Sequence, residues 1–428
     1  MELMNAKGVR DFPPEEKIIR QEVVDTLKTT FEEFGFNPLE TPVIERFDVL
    51  TSKFAGGEEI LKEIFTFKDQ GGRELCLRYD LTVPFSRFVG MNPNLKMPFK
   101  RYQIGRVYRD GPIKLGRYRE FWQCDIDVVG TKSMLADAEI LAVVSAVFKK
   151  LDFKIEIKLN NRKILDGILA FAGVKENKWI DAILSIDKLE KQGINEVRKE
   201  LEMKGISDDA IAKIMGVIQK KGTNKETLKD LKSFLTSDIG KEGIEEMEEM
   251  LKYLSAFKVK VDFDPSLARG LAYYTGPVFE VFLKNSEITS SAAGGGRYDK
   301  MIGKFIGQED AFPATGIAFG LEIITDTLKM KLKEKKKTIT EIYIIPIKTA
   351  KESIRIAQEL RAEGIKTDMD ISGRGISKNL NFANSLGIPY VLFVGEKELK
   401  QKKVKLRDMK SGKETLLTIS GVIKKLTS

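Results

Sequence analysis

RYREFWQCDIDVV, residues 117–129, alternates with the period of a β-strand. Trp122, Cys124, Ile126 and Val128 fall on one face, and Phe121, Gln123, Asp125 and Asp127 on the other. The apolar face can pack into a core. The opposite face sets an aromatic plate, an amide and two carboxylates in a row, which suits either solvent or a ligand. Residues 100–109 read as its antiparallel partner, joined to it by the basic loop 111–119. Arg106, Arg109, Arg117 and Arg119 crowd this hairpin, and guanidinium forks suit phosphate or carboxylate better than generic solvation. An Arg-rich surface hairpin is the bland alternative.

Upstream, prolines at 13 and 14 open a helix whose Ile19, Val23, Leu27 and Phe31 recur every fourth residue until Gly35. Runs 64–68 and 74–78 read as strands across the turn Gly71-Gly72, and 133–151 as an amphipathic helix. From 163 to 254 strand signals give way to helical periodicity rich in Lys and Glu. Strand character returns at 258–263, 278–283 and 292–297. After a Lys-rich bridge, 331–337, the order is strand (342–347), helix (350–363), strand (365–369), helix (376–386), strand (389–394), an α/β module with a partly parallel sheet. The expected divisions are 1–162, 163–254, 255–330 and 331–428.

The chain has 428 residues, enough for two to four domains at roughly 100–200 residues each. It has no histidine, which excludes a Ser-His-Asp triad, a His-ligated zinc site and any His general base. Cys76 and Cys124 supply no disulfide framework and fit a reducing, cytoplasmic compartment. No apolar run is long enough to span a bilayer, and the start lacks a secretory pattern. Net charge is +9, unevenly spread: residues 331–428 carry 22 Lys+Arg against 11 Asp+Glu, and the first 330 carry 50 against 52. Such a segment is either a solvated surface or a module for an anionic partner, nucleic acid first.

Two further strings look like parts of a site. RGLAYYTG (269–276) combines a leading Arg, two glycines and adjacent tyrosines that must face differently. GGGRYD (294–299) holds three consecutive glycines, which weaken a strand unless a backbone or ligand comes close. Neither a P-loop nor a Rossmann fingerprint is present.

Over essentially its whole length the chain resembles the histidyl-tRNA synthetases, a class II aminoacyl-tRNA synthetase family. Residues 35–42 resemble motif 1 of the class, and RVYR (106–109) through Asp127, including GRYREF (116–121), resembles motif 2. RGLAYYTG and GGGRYD are similar to the histidine-specific signatures. KGVRDFPPEE (7–16) also matches, as does LRYDLTVPFSRF (77–88), the latter in an archaeal and eukaryotic style. The resemblance implies an α+β catalytic core on an antiparallel, six-stranded-type class II sheet, a helical insertion and a separate C-terminal α/β anticodon-binding domain. It implies a cytoplasmic homodimer, with no membrane partner, that joins L-histidine to tRNA(His) through histidyl-adenylate, using ATP and Mg²⁺.

It also implies residue roles. Asp80, Leu81, Thr82 and Gln123 would surround the substrate ammonium, and Asp127, Tyr273 and Tyr274 the imidazole. Arg109 and Arg269 would hold the α-phosphate and substrate carboxylate as the catalytic pair. Arg117, Arg119, Phe121 and Glu322 would join Arg109 around ATP, with Phe121 stacked on adenine. No metal ligand is assigned. The chain departs from the class twice: Ile323 stands where motif 3 ends in Arg, and Gly111 where motif 2 carries an acid. Two other readings compete with a ligase. One is a silent paralogue serving as the regulatory subunit of ATP phosphoribosyltransferase; the other is a pure tRNA-binding module.

Overall fold

The computed structural model describes residues 2–51, 61–114, 116–220, 222–270, 273–308, 311–332 and 336–427. Leu271 and Ala272 of RGLAYYTG, Leu115 of the basic loop and 333–335 of the Lys-rich bridge lie outside the described residues. Two compact units emerge: Met1–Arg10 with Val23–Leu328, and Asp11–Glu22 with Lys329–Ser428.

The first helix runs over Pro14–Glu33, and Gly35, at φ +76°, turns the chain out of it. In chain order the strands of the first unit open with β1 (Asn37–Pro38), β2 (Ile44–Arg46), β3 (Thr66–Lys68) and β4 (Glu74–Leu77). The long hairpin follows as β5 (Phe99–Tyr108) and β6 (Glu120–Val129), then β7 (Ile155–Asn161) and β8 (Asp262–Phe263). The last three are β9 (Pro277–Leu283), β10 (Ala293–Arg297) and β11 (Ala314–Gly320). Strands β2, β4 and β3 form a small sheet; the others form one large sheet in the order β1-β5-β6-β11-β10-β9-β7-β8.

That sheet corrects the sequence expectation. It has eight strands rather than six, and it is antiparallel only in part, because β1 pairs parallel to β5 and β8 parallel to β7. Both edge strands are two residues long, too short to show an alternation, and Pro38 suits an edge where no ladder N–H is needed. The strand expected at 258–263 shrinks to Asp262–Phe263, since Lys258 adopts a left-handed φ of 59° and ends the preceding helix.

Register explains how distant segments meet. β11 inserts beside β6, pairing Gly316 with Asp127 and Ala318 with Asp125, and β10 follows beside β11. Cys124, Ile126 and Val128 are buried against the helix Met134–Lys150, whose Val143, Val144 and Val147 are inaccessible. Each such aliphatic contributes about 1.5–3 kcal/mol on burial. Ser133 caps this helix by accepting from the Leu135 N–H. Among the described residues of 163–254 there are helices but no strand, from Arg162–Phe171 to Asp238–Ala256. Their apolar faces share the core of the large sheet.

In the second unit β12 (Ile342–Ile347), β13 (Thr367–Met369) and β14 (Tyr390–Gly395) are parallel. Antiparallel β15 (Val404–Asp408) and β16 (Glu414–Leu417) extend them, and the order is β13-β12-β14-β15-β16. β12 is covered on both faces: Ile342 and Ile344 pack with Ile356 and Leu360, and Tyr343 and Ile345 with Ala383 and Ile388.

Candidate active site

The second face of β6 lines a cavity of about 460 Å³. Phe121, Gln123, Asp125 and Asp127 all reach it, so the face lines a cavity rather than open surface. Asp80 and Thr82 enter from the start of the helix Thr82–Met91, and Arg109 and Arg117 from the hairpin. Arg269, Tyr273 and Tyr274 close another side, and Gly294–Gly296 of β10 and Gly316 of β11 form the floor. Asp187 and Lys191, from the helical stretch, also line it, as does Glu280.

The glycines are required by close approach. A Cβ on Gly316 would stand 2.0 Å from Asp127 Oδ1, and one on Gly294 2.4 Å from Arg269 Nη1. At Gly295 it would lie 2.0 Å from the Gly316 carbonyl oxygen and 2.7 Å from Ile317 Cα, both backbone atoms of the adjacent strand. Gly295→Ala should therefore part β10 from β11 and cost at least about 1–3 kcal/mol. Gly216→Ala, exposed in the helix Asp208–Ile218 with nothing near its Cβ, should stabilise by about 0.5–1 kcal/mol. Denaturant melts of the two variants check the contrast; equal midpoints would contradict it.

At the centre Arg101 Nη2 meets Asp127 Oδ2 at 2.7 Å, both side chains buried, and the Tyr298 hydroxyl donates to Asp127 Oδ1. Arg101 also donates to the Leu81 carbonyl at 3.3 Å and lies 4.3 Å over the Phe85 ring. Burial pushes the Asp127 carboxyl above the usual carboxylate range, against the pull of Arg101 and Tyr298. Burial drives Asp125 higher still, with Arg101 opposing and Asp127 adding to the rise. Asp80 is raised by burial and held by the Val83 N–H, 2.9 Å from its Oδ1.

Arg109 donates to the Tyr79 carbonyl at 3.2 Å and sits 4.1 Å over the Tyr79 ring and 5.1 Å from the Phe121 ring. Arg269 pairs with Glu280 and lies 5.9 Å from the Tyr274 ring. Tyr273 and Tyr274 both reach the cavity, with ring centroids 4.7 Å apart. They do not diverge as strand neighbours would, because the segment is irregular rather than extended in a ladder.

Three expected residues stand outside the lining. Leu81 is buried apolar structure, Arg119 pairs with Asp110 at 3.0 Å, and Glu322 accepts from the Trp122 N–H at 3.1 Å. Arg117 lines the cavity but is engaged by Glu63 at 3.1 Å. Glu63 Oε1 also lies 2.7 Å from where a Gly111 Cβ would be, and Ile323 Cγ1 stands 3.4 Å from the corresponding point on Gly116. Arg101, Tyr79, Asp187, Lys191, Glu280 and Tyr298 were not anticipated as site residues. Tyr79 and Tyr298 lie inside the strings LRYDLTVPFSRF and GGGRYD, whereas Arg101 is set opposite Asp127 only by the register of the hairpin.

A family model for histidyl-tRNA synthetases matches residues 8–324, and one for an anticodon binding domain matches 341–428. The chain is similar to histidine–tRNA ligase 1 of Bacillus cereus, 44% identical over 425 residues, with 99% of each chain covered. It is 41% identical over 414 residues to histidine–tRNA ligase 2 of Shouchella clausii, covering 96% of this chain and 97% of the other. Among solved structures, histidyl-tRNA synthetase from Nostoc sp. PCC 7120 superposes with a TM-score of 0.88 at 29% identity, over 100% of this chain and 99% of that one. These relatives are bacterial, so the archaeal and eukaryotic style read into 77–88 finds no support in them. An ATP phosphoribosyltransferase regulatory subunit/histidyl-tRNA synthetase from Bacillus halodurans shares the fold, with a TM-score of 0.77 at 20% identity.

Proposed function

The chain belongs to the histidyl-tRNA synthetase family, and from that premise we propose that the cavity on β6 activates L-histidine with ATP and passes it to tRNA(His). The observation that carries the reading is the convergence of Asp80 and Thr82, Arg109 with Gln123 and Asp127, Arg269 with Tyr273 and Tyr274, and Gly294–Gly296 on one cavity. The regulatory-subunit alternative is disfavoured by relatives named histidine–tRNA ligase along 99% of the chain.

The roles follow from chemistry. Asp80, Thr82 and Gln123 receive the substrate ammonium beside Leu81, whose backbone carbonyl anchors Arg101. Asp127, fixed by Arg101 and Tyr298, takes the imidazole with Tyr273 and Tyr274. A pocket built for ring N–H groups rejects apolar analogues, which would leave those partners unpaired. Arg109 and Arg269 align the substrate carboxylate with the α-phosphate. A carboxylate oxygen bonds to phosphorus as the bond to pyrophosphate breaks. The nucleophile is already ionised, so no general base is needed and a chain without histidine suffices. Phe121, beside Arg109, offers a plate for adenine. Arg117 flanks the nucleotide, with Arg119 and Glu322 bracing the hairpin behind it.

Mg²⁺ would neutralise the β- and γ-phosphates. Among the described residues no three acidic or cysteine side chains cluster to cage an ion, and a donor set of phosphates, water and one or two carboxylates suits this cation. We assign residues 1–162 and 255–330 to the catalytic core, 163–254 to a helical insertion and 331–428 to anticodon binding, in a cytoplasmic homodimer. No helix among the described residues is long and apolar enough to cross a membrane.

Pyrophosphate exchange into ATP, run with each of the twenty amino acids, tests the reading. Exchange with histidine alone is expected; exchange with none, or with another amino acid, would sink it. The basic module has its own test. Lys400 and Lys402 are exposed and Lys403 half-buried at the turn before β15. Changing all three to Gln should flatten the logarithmic salt dependence of tRNA affinity by about 0.9 for each duplex phosphate that is no longer neutralised. Exchange should be unaffected. An unchanged salt slope would mark these lysines as solvated surface.

A further inference from the structure

Asp125 has no role in the scheme above, yet it is only 2% exposed and lines the cavity between Gln123 and Asp127. Its Oδ1 is buried without a hydrogen-bond partner, and so is Oε1 of Gln123 on the same strand face. Two orphaned acceptors side by side call for a ligand that donates, since a buried acceptor left unmatched is costly. Asp127 Oδ2 also lacks a hydrogen bond, but it is neutralised by the ion pair with Arg101 at 2.7 Å, and its Oδ1 accepts from the Tyr298 hydroxyl. Charge points the same way. Asp80, Asp125 and Asp127 are all buried, while of the buried cations near them Arg101 is paired with Asp127 and Arg78 donates to the backbone carbonyls of Arg106 and Thr41. Asp125 feels Arg101 and Arg109 as favourable charges and Asp127 and Asp80 as unfavourable ones.

We propose that Asp125 is a further substrate-binding residue, whose carboxylate takes one N–H of the amino acid's α-ammonium. An ammonium has three donors, which Asp80, Gln123 and Asp125 can accept, with the Thr82 hydroxyl as a fourth oxygen sharing one of them. Its positive charge also offsets the excess of buried carboxylates, which a neutral amine or hydroxyl would leave in place. Burial holds the Asp125 carboxyl well above its usual range, and a bound ammonium would favour the ionised form. This inference rests on the amino-acid-activating reading of the cavity.

The test uses the full chain with Asp125→Asn, which keeps the shape and removes the charge. Two ligands are titrated: histidine, and 3-(imidazol-4-yl)propionate, which lacks the ammonium. Histidine should bind at least tenfold more weakly to the variant, while the des-amino ligand and the KM for ATP stay within about twofold. Equal weakening of both ligands would show a purely structural role and overturn the proposal, as would undiminished histidine binding. Asp125→Ser, smaller and also neutral, should repeat the selective loss if the amide variant folds poorly. Wild-type protein that binds no histidine would refute the activation reading itself, an outcome distinct from a variant that binds as well as wild type.

Discussion

Arg269→Ala is expected to lower histidine-dependent pyrophosphate exchange by about 10²–10³, the usual consequence of removing one donor aimed at developing charge. Glu280 pairs with this guanidinium, Gly294 leaves space for it, and Tyr274 flanks it. That support holds the fork in place before substrate arrives, so little reorganisation is needed during the reaction. Arg269→Lys should recover only part of the rate, because an ammonium cannot span two oxygens as a planar fork does. Rapid-quench measurement of adenylate formation at saturating histidine checks both variants. Near-normal rates in Arg269→Ala would remove this residue from the chemistry.

Asp127→Ala should produce the largest loss of stability, about 3–5 kcal/mol, because it strands the guanidinium of Arg101 in the interior. Arg101 is inaccessible, its Nη2 is 2.7 Å from Asp127, and the Leu81 carbonyl is its other oxygen partner. Removing both charges, as Arg101→Met with Asp127→Leu, should restore much of the stability without restoring histidine binding. Denaturant midpoints for the single and double variants measure the first effect, and calorimetric titration with histidine the second. A double variant no more stable than the single would show that the pair is not the origin of the loss.

Much of this site was legible in 117–129 alone. The alternation placed Cys124, Ile126 and Val128 in the core and Phe121, Gln123, Asp125 and Asp127 on the opposite face, and only the structure put a cavity against that face. The glycines of 294–296 announced a close approach, and the neighbours turned out to be β11 and Arg269. Arg101 was hidden because its meaning lies in cross-strand register, 26 positions from Asp127 in sequence and directly opposite it in the sheet. Asp187 and Lys191 were hidden too, since a stretch of Lys- and Glu-rich helix gives no sign of which side chain turns toward a cavity. In the second unit lysines masked β15, where only Val404 and Leu406 point inward. The two-residue edge strands lay below any periodic signal.

The central claim is that this one cavity charges tRNA(His) with histidine, and direct aminoacylation tests it. Purified protein, ATP, Mg²⁺ and labelled histidine are incubated with unfractionated tRNA, and the tRNA protected from periodate at its 3′ end is sequenced. Labelled histidine is expected on tRNA(His) alone, with the label falling by at least a hundredfold in Arg269→Ala. Charging that survives the loss of Arg269, label on other tRNAs, or no charged tRNA at all would contradict the account.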